Sequence, residues 1–175
     1  MNETLITSTP IFDVVEKNDN GTIGFNPVGI NAPDWVSAII EQDGKYLMVK
    51  QLRYGLMHEC EEFCSGQVDK GETPLHAVIR EIREETGLDI RNESEVKYLG
   101  NFAANPAFMN NRMHYFYVNV DTLTKYTWRN QQLDEYEKLT LYWKNKDMVK
   151  FDCINNHDSV FMPVGFWLLN KNGFE

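Results

Sequence analysis

Cysteine is scarce in this chain: three of 175 residues. That number is too small for a disulfide framework and fits a reducing compartment. A zinc site could be drawn on paper from Cys60, Cys64, Cys153 and His157, but Cys64 sits between Phe63 and Ser65, where a small buried apolar side chain is the better reading. Basic residues are outnumbered, 17 Lys and Arg against 26 Asp and Glu, for a formal charge of −9. The imbalance argues against a sequence-independent nucleic-acid surface, which needs clustered cations to neutralise phosphates. No apolar run approaches the ~20 residues of a membrane span, and the opening Met1-Asn2-Glu3 lacks the basic start of a secretory signal. The expectation is a cytoplasmic protein with no membrane and no nucleic-acid partner. Repeats and low-complexity stretches are absent too, and the length suits one domain with a full core.

What is present is one stretch dense in chemistry. Gly66-Gln67-Val68-Asp69-Lys70-Gly71-Glu72 reads as a loop feeding a helix over 74–86, with Thr73 as N-cap, Pro74 at the first helical position and Gly87 closing the end. On a wheel of ~100° per residue, Leu75, Val78, Ile79 and Ile82 form an apolar face. Glu81, Glu84 and Glu85 fall within a neighbouring arc of roughly 100°. Carboxylates held that close repel one another unless a multivalent cation compensates, and oxygen ligands favour Mg²⁺ or Mn²⁺. The bland alternative is a solvated acidic face with Arg80 and Arg83 as its partners.

Two β-prone runs, Ile11 to Val15 and Thr22 to Phe25, flank Asn18-Asp19-Asn20-Gly21 and predict an N-terminal hairpin. A second hairpin is predicted from Trp35–Ile40 and Tyr46–Leu52 around Asp43-Gly44, with strands apolar enough for burial on both faces. Further strands are expected over 96–102, 113–120 and 139–143. A short helix is expected near Lys146 to Lys150, and a C-terminal helix capped by Asp158 that reaches Asn170, tempered by Pro163. Helices alternating with strands imply an α/β layered domain. The division reads as residues 1–33, a hairpin appendage, and 34–175, the main domain.

Gly66, Glu72, Arg80, Glu81, Ile82, Glu84, Glu85, Gly87 and Leu88 fill every specified position of the Nudix box, and the chain resembles the Nudix hydrolases. A chance match in a chain this long is on the order of one in ten million. The resemblance implies a mixed sheet sandwiched between helices, and hydrolysis of a nucleoside diphosphate linked to another moiety. It also implies metal ligation by Glu81, Glu84 and Glu85, completed by loop backbone around Ser65 and Gly66, with Arg80 orienting a carboxylate.

Outside the box, Gln51-Leu52-Arg53, Glu61 to Gly66 and Asn105-Pro106-Ala107-Phe108 resemble the ADP-ribose pyrophosphatase branch, with departures at Leu52, Cys64, Ser65 and Ala107. By that likeness Arg53 and Arg112 are phosphate-binding candidates and Glu62 faces substrate or metal. Trp35 and Phe108 are aromatic candidates for a base. Glu135 or Glu137, in the acidic loop beyond the box, is the candidate general base. In this branch the N-terminal hairpin often helps build a partner's pocket, which would make a homodimer. Two other readings stay open: hydrolysis of nucleoside triphosphates or dinucleoside polyphosphates, and a regulator that binds a nucleotide sugar without turning it over.

Overall fold

The computed structural model describes residues 2–18, 24–133, 135, 138–155 and 161–174. Strands β1 (Asn2–Ser8), β2 (Asp13–Asn18) and β3 (Val28–Asn31) form an antiparallel sheet at the N-terminus. This differs from the predicted hairpin: β2 pairs with β1 on one side, and on the other with β3, which begins at Val28, while Gly24 and Phe25 of the expected second strand stand outside any strand. The turn between them is made by Thr9, whose hydroxyl accepts the Ile11 and Phe12 amides. The expected Asn-Gly turn lies outside the described residues.

The central sheet runs β12 (Leu139–Asn145), β5 (Lys45–Arg53), β4 (Trp35–Gln42), β10 (Arg112–Asn119), β9 (Lys97–Ala103). Strands β4 and β10 are parallel and the other pairs antiparallel, so the sheet is mixed. At the predicted turn Asp43 and Gly44 both take positive φ, 50° and 70°, as a two-residue hairpin turn of this hand requires. Strands β4 and β5 pair only at this end, through Glu41↔Tyr46 and Gln42↔Lys45. Beyond it they part: β6 (His58–Glu62) pairs with β5 and β7 (Cys64–Gln67) with β4. The splayed hairpin is what opens the molecule where its site lies.

Alternation along the central strands sends side chains to two cores. Val36, Ala38, Ile40, Leu47, Val49, Phe116 and Val118 meet Ala77, Val78 and Ile82 on one face. Ile39, Tyr46, Met48, Tyr115 and Tyr117 meet Val149, Phe166 and Leu169 on the other. The first face is covered by helix α1 (Pro74–Glu81) and the π-helical turn Ile82–Thr86 that continues it. The second is covered by α2 (Lys146–Asn155) and α3 (Phe161–Lys171). Pro163 stands in the first turn of α3, where a missing amide costs no intrahelical bond. Asp158 lies outside the described residues. A small pair, β8 (Leu88–Ile90) with β11 (Tyr126–Trp128), closes the end beyond the π-turn. Among the described residues no helix is long and apolar enough to cross a membrane.

Candidate active site

Thr73 caps α1 by accepting the His76 amide at 3.2 Å, and Pro74 starts it. The helix gains a residue in its last turn, where Thr86 Oγ1 donates to the Ile82 carbonyl at 2.5 Å, and Gly87 ends it at φ 77°. Such π-turns recur at functional sites. Glu81 and Glu85, four residues apart, share a face. Both line a polar cleft of about 360 Å³ with Gln51, Arg53, Ser65, Gln67, Asp69 and Arg80.

Each carboxylate is held differently. Glu85 is 3% exposed and accepts the Ser65 amide at 3.1 Å. The Glu81 carboxylate lies against Gly66: a Cβ there would stand 2.0 Å from the Glu81 carboxyl carbon, so glycine is what leaves room for the carboxylate in this position. Glu84 is the most exposed of the three, between Arg80 at 3.2 Å and Arg83 at 3.7 Å. The Arg80 guanidinium also bonds Glu72 at 3.0 Å, Glu81 at 2.8 Å and the Gln67 carbonyl at 2.8 Å. Arg80 therefore ties the loop to the helix. Its hydrogen bonds hold the Glu72 carboxyl below its ordinary range, and the Glu72, Glu81 and Glu84 carboxylates push the Arg80 pKa up. Burial, with Glu85 and Glu81 nearby, keeps Cys64 a neutral thiol, well above its usual pKa.

A second cleft of about 270 Å³ adjoins the first and shares Trp35, Arg53 and Ser65 with it. Its other walls are mainly apolar: Leu56, Phe63, Met113, Phe161 and Met162. Trp35 and Phe161 rings lie 6.2 Å apart, tilted by 49°. At the junction the Arg53 guanidinium grips the Glu62 carboxylate through Nε, at 3.0 and 3.2 Å, and through a second nitrogen. Arg53 and Glu62 thus occupy one ion pair.

The NUDIX domain model matches residues 32–163. The chain belongs to the Nudix hydrolase family. An ADP-ribose pyrophosphatase of Bacillus subtilis (strain 168) is 30% identical over 98 residues, 56% of this chain and 50% of that protein. A methanol dehydrogenase activator of Bacillus methanolicus is 32% identical over 88 residues, 50% of this chain and 46% of that protein. The chain spans about half the length of these curated relatives. A crystal structure described as an ADP compounds hydrolase superposes with TM-score 0.75 at 17% identity, over 99% of this chain and 94% of that one. That likeness shows the Nudix fold, an α/β sandwich.

Nudix hydrolases generally use divalent metals. Among the described residues no three His, Cys, Asp or Glu side chains converge as a ready-made metal cage. The donors do suit a divalent cation: Glu81 and Glu85 line the same cleft, and such ions are commonly held by one or two carboxylates with waters and substrate phosphates supplying the rest. Of the other residues singled out in this Nudix sequence, Arg112 lines neither cleft; its side chain donates to Asn101. Phe108 is 46% exposed beside β3, where its carbonyl accepts the Ile30 amide. Glu135 is exposed in a turn, and Glu137 lies outside the described residues. Sequence reasoning missed Gln51, Phe161 and Met162. Gln51 belongs to the Gln51-Leu52-Arg53 run already singled out but was given no role there; nothing in the sequence points Phe161 or Met162 toward Trp35.

Proposed function

We propose that this chain hydrolyses the diphosphate bond of a nucleoside diphosphate joined to a second moiety, ADP-ribose first among them, releasing a nucleoside monophosphate and a sugar phosphate. One observation carries the reading. The cleft that holds Glu81 and Glu85 opens, past Arg53 and Trp35, into an apolar cleft. Each is small for a nucleotide sugar, and the two together suit a ligand with a charged middle and an aromatic end.

In this reading Glu81 and Glu85 hold Mg²⁺, for which Mn²⁺ can substitute, and the Ser65 amide fixes the Glu85 carboxylate. When bound, the cation neutralises diphosphate charge and activates water for attack on phosphorus. Glu84, on Arg80 and Arg83, keeps the helix face in register. Arg53 offers its guanidinium fork to a phosphate, with Glu62 orienting it. Trp35 receives the base against its ring. Glu135 supplies the general base from a loop that follows the segment bonded to the π-turn. Arg112 and Phe108 line neither cleft and are given no role. A homodimer would form through the N-terminal sheet, where β1 exposes Leu5 and Ile6.

The test is product analysis on purified protein. ADP-ribose with Mg²⁺ should yield AMP and ribose 5-phosphate, EDTA should abolish the reaction, and added Mg²⁺ should restore it. Undiminished turnover in chelator would discard the metal reading, and inorganic pyrophosphate released preferentially from a triphosphate would replace the substrate.

A further inference from the structure

The last turn of a helix leaves backbone carbonyls without intrahelical partners. Here those of the glutamate-bearing turn are met by a distant piece of chain just after β11. The Gln132 amide donates to the Glu84 carbonyl at 2.8 Å and the Arg129 amide to the Gly87 carbonyl at 2.8 Å. Between them the Gln131 side chain donates Nε2–H to the Glu85 carbonyl at 2.6 Å. Gly87 makes the approach feasible, since a Cβ there would stand 2.0 Å from the Arg129 carbonyl oxygen. The segment is itself anchored, because Trp128 pairs with Leu88 and the Arg129 guanidinium bonds Asp89 at 2.8 Å.

We infer that Gln131 is a positioning residue for Glu85, clamping that residue's backbone from one side while the Ser65 amide holds its carboxylate from the other. The inference rests on the reading that Glu85 holds a divalent cation. A long amide side chain gives up rotamer freedom when it is fixed, and this one is fixed on the residue whose carboxylate is the most buried of the three. With its backbone carbonyl held by Gln131 and its carboxylate by the Ser65 amide, Glu85 is fixed at both ends of the side chain that would reach a cation. Partners that orient metal ligands typically contribute ten- to a hundred-fold to metal affinity or activity.

The decisive variant is Gln131→Met, which keeps the side chain's reach and removes its donor. Asn130→Ala, a change at the exposed neighbour whose side chain makes none of these three bonds, is the control. Mn²⁺ binding followed by electron paramagnetic resonance should weaken by about ten-fold in Gln131→Met, with an altered bound-ion spectrum. Turnover should fall in step while the substrate KM stays put, and Asn130→Ala should match the wild type in all three. Because a merely structural role would act through stability, the melting temperature is read alongside and should move little. Wild-type Mn²⁺ affinity and spectrum in Gln131→Met would overturn the inference. Should the wild type itself bind no Mn²⁺, the metal reading fails, and hydrogen exchange over residues 84–88 then decides the clamp. Faster exchange in Gln131→Met upholds it, and unchanged protection overturns it.

Discussion

The two clefts that meet at Trp35, Arg53 and Ser65 are built in opposite ways. The polar one draws Ser65, Gly66, Gln67, Asp69, Arg80, Glu81 and Glu85 from one stretch of chain, with Trp35 from β4 and Gln51 and Arg53 from β5 on its other side. The apolar one draws Trp35 from β4, Leu56 from beyond β5, Phe63 from between β6 and β7, Met113 from β10, and Phe161 and Met162 from α3. In the first, Glu81 is fixed by the Arg80 guanidinium and Glu85 by the Ser65 amide. In the second, shape comes from sheet topology and ring packing. The difference bears on the proposed division of labour: the carboxylates proposed to hold the cation form a local unit, while the cleft proposed to receive the base is assembled from across the fold.

The sharpest way to break that comparison is Glu85→Gln. The change keeps the size of the most buried carboxylate and removes its charge, so a cation and the charge developing on the diphosphate both lose their counter-charge. Turnover of ADP-ribose should fall roughly a thousand-fold with KM little changed, which is the mark of an interaction made mainly in the transition state. A variant with normal turnover and a raised KM would make the polar cleft a binding site only.

Trp35→Ala probes the other cleft and should have the smaller, complementary effect. Losing a ring that stacks on a base costs about 1–3 kcal/mol, so KM should rise roughly ten-fold or more with kcat nearly unchanged. Steady-state kinetics on ADP-ribose would show this. If kcat fell as far as kcat/KM, Trp35 would belong to the reacting centre and the division between the clefts would dissolve.

The same contrast explains what could be read before any coordinates. Thr73, Pro74 and Gly87 announced the helix because capping is local chemistry, and Asp43-Gly44 announced the central turn for the same reason. Strands β6 and β7 were not legible, since His58 to Gln67 carries charge, glycine and cysteine in place of a clean alternation, and only pairing with β5 and β4 makes it sheet. Strand β1 was not legible, since Thr4-Leu5-Ile6-Thr7 carries no clean alternation and only pairing with β2 makes it sheet. The extra residue in the last helical turn leaves no mark in a 3.6-residue pattern. Nor does proximity between Trp35 and Phe161, which are brought together by how α3 lies on the sheet.

The smallest predicted effect separates the scaffold of the polar cleft from its chemistry. Arg80 hydrogen bonds lower the Glu72 pKa, against the opposing pull of burial. A carboxyl with a depressed folded-state pKa stabilises the fold above its unfolded value of about 4.3, and that stabilisation is lost as pH falls through the lower, folded value. Glu72→Gln keeps a hydrogen-bonding group beside Arg80 without the charge, so it should melt about 2 °C below the wild type at pH 7, a modest shift because the pair is partly open to solvent. The two melting curves should converge once the pH falls below the depressed Glu72 pKa, where the wild-type carboxyl is itself protonated. A gap that keeps its size from pH 7 down through the acid limb would mean that Glu72 acts through shape. The loop would then be held to the helix by the Gln67 carbonyl on the Arg80 guanidinium, which Glu81 and Glu84 steady from the helix side.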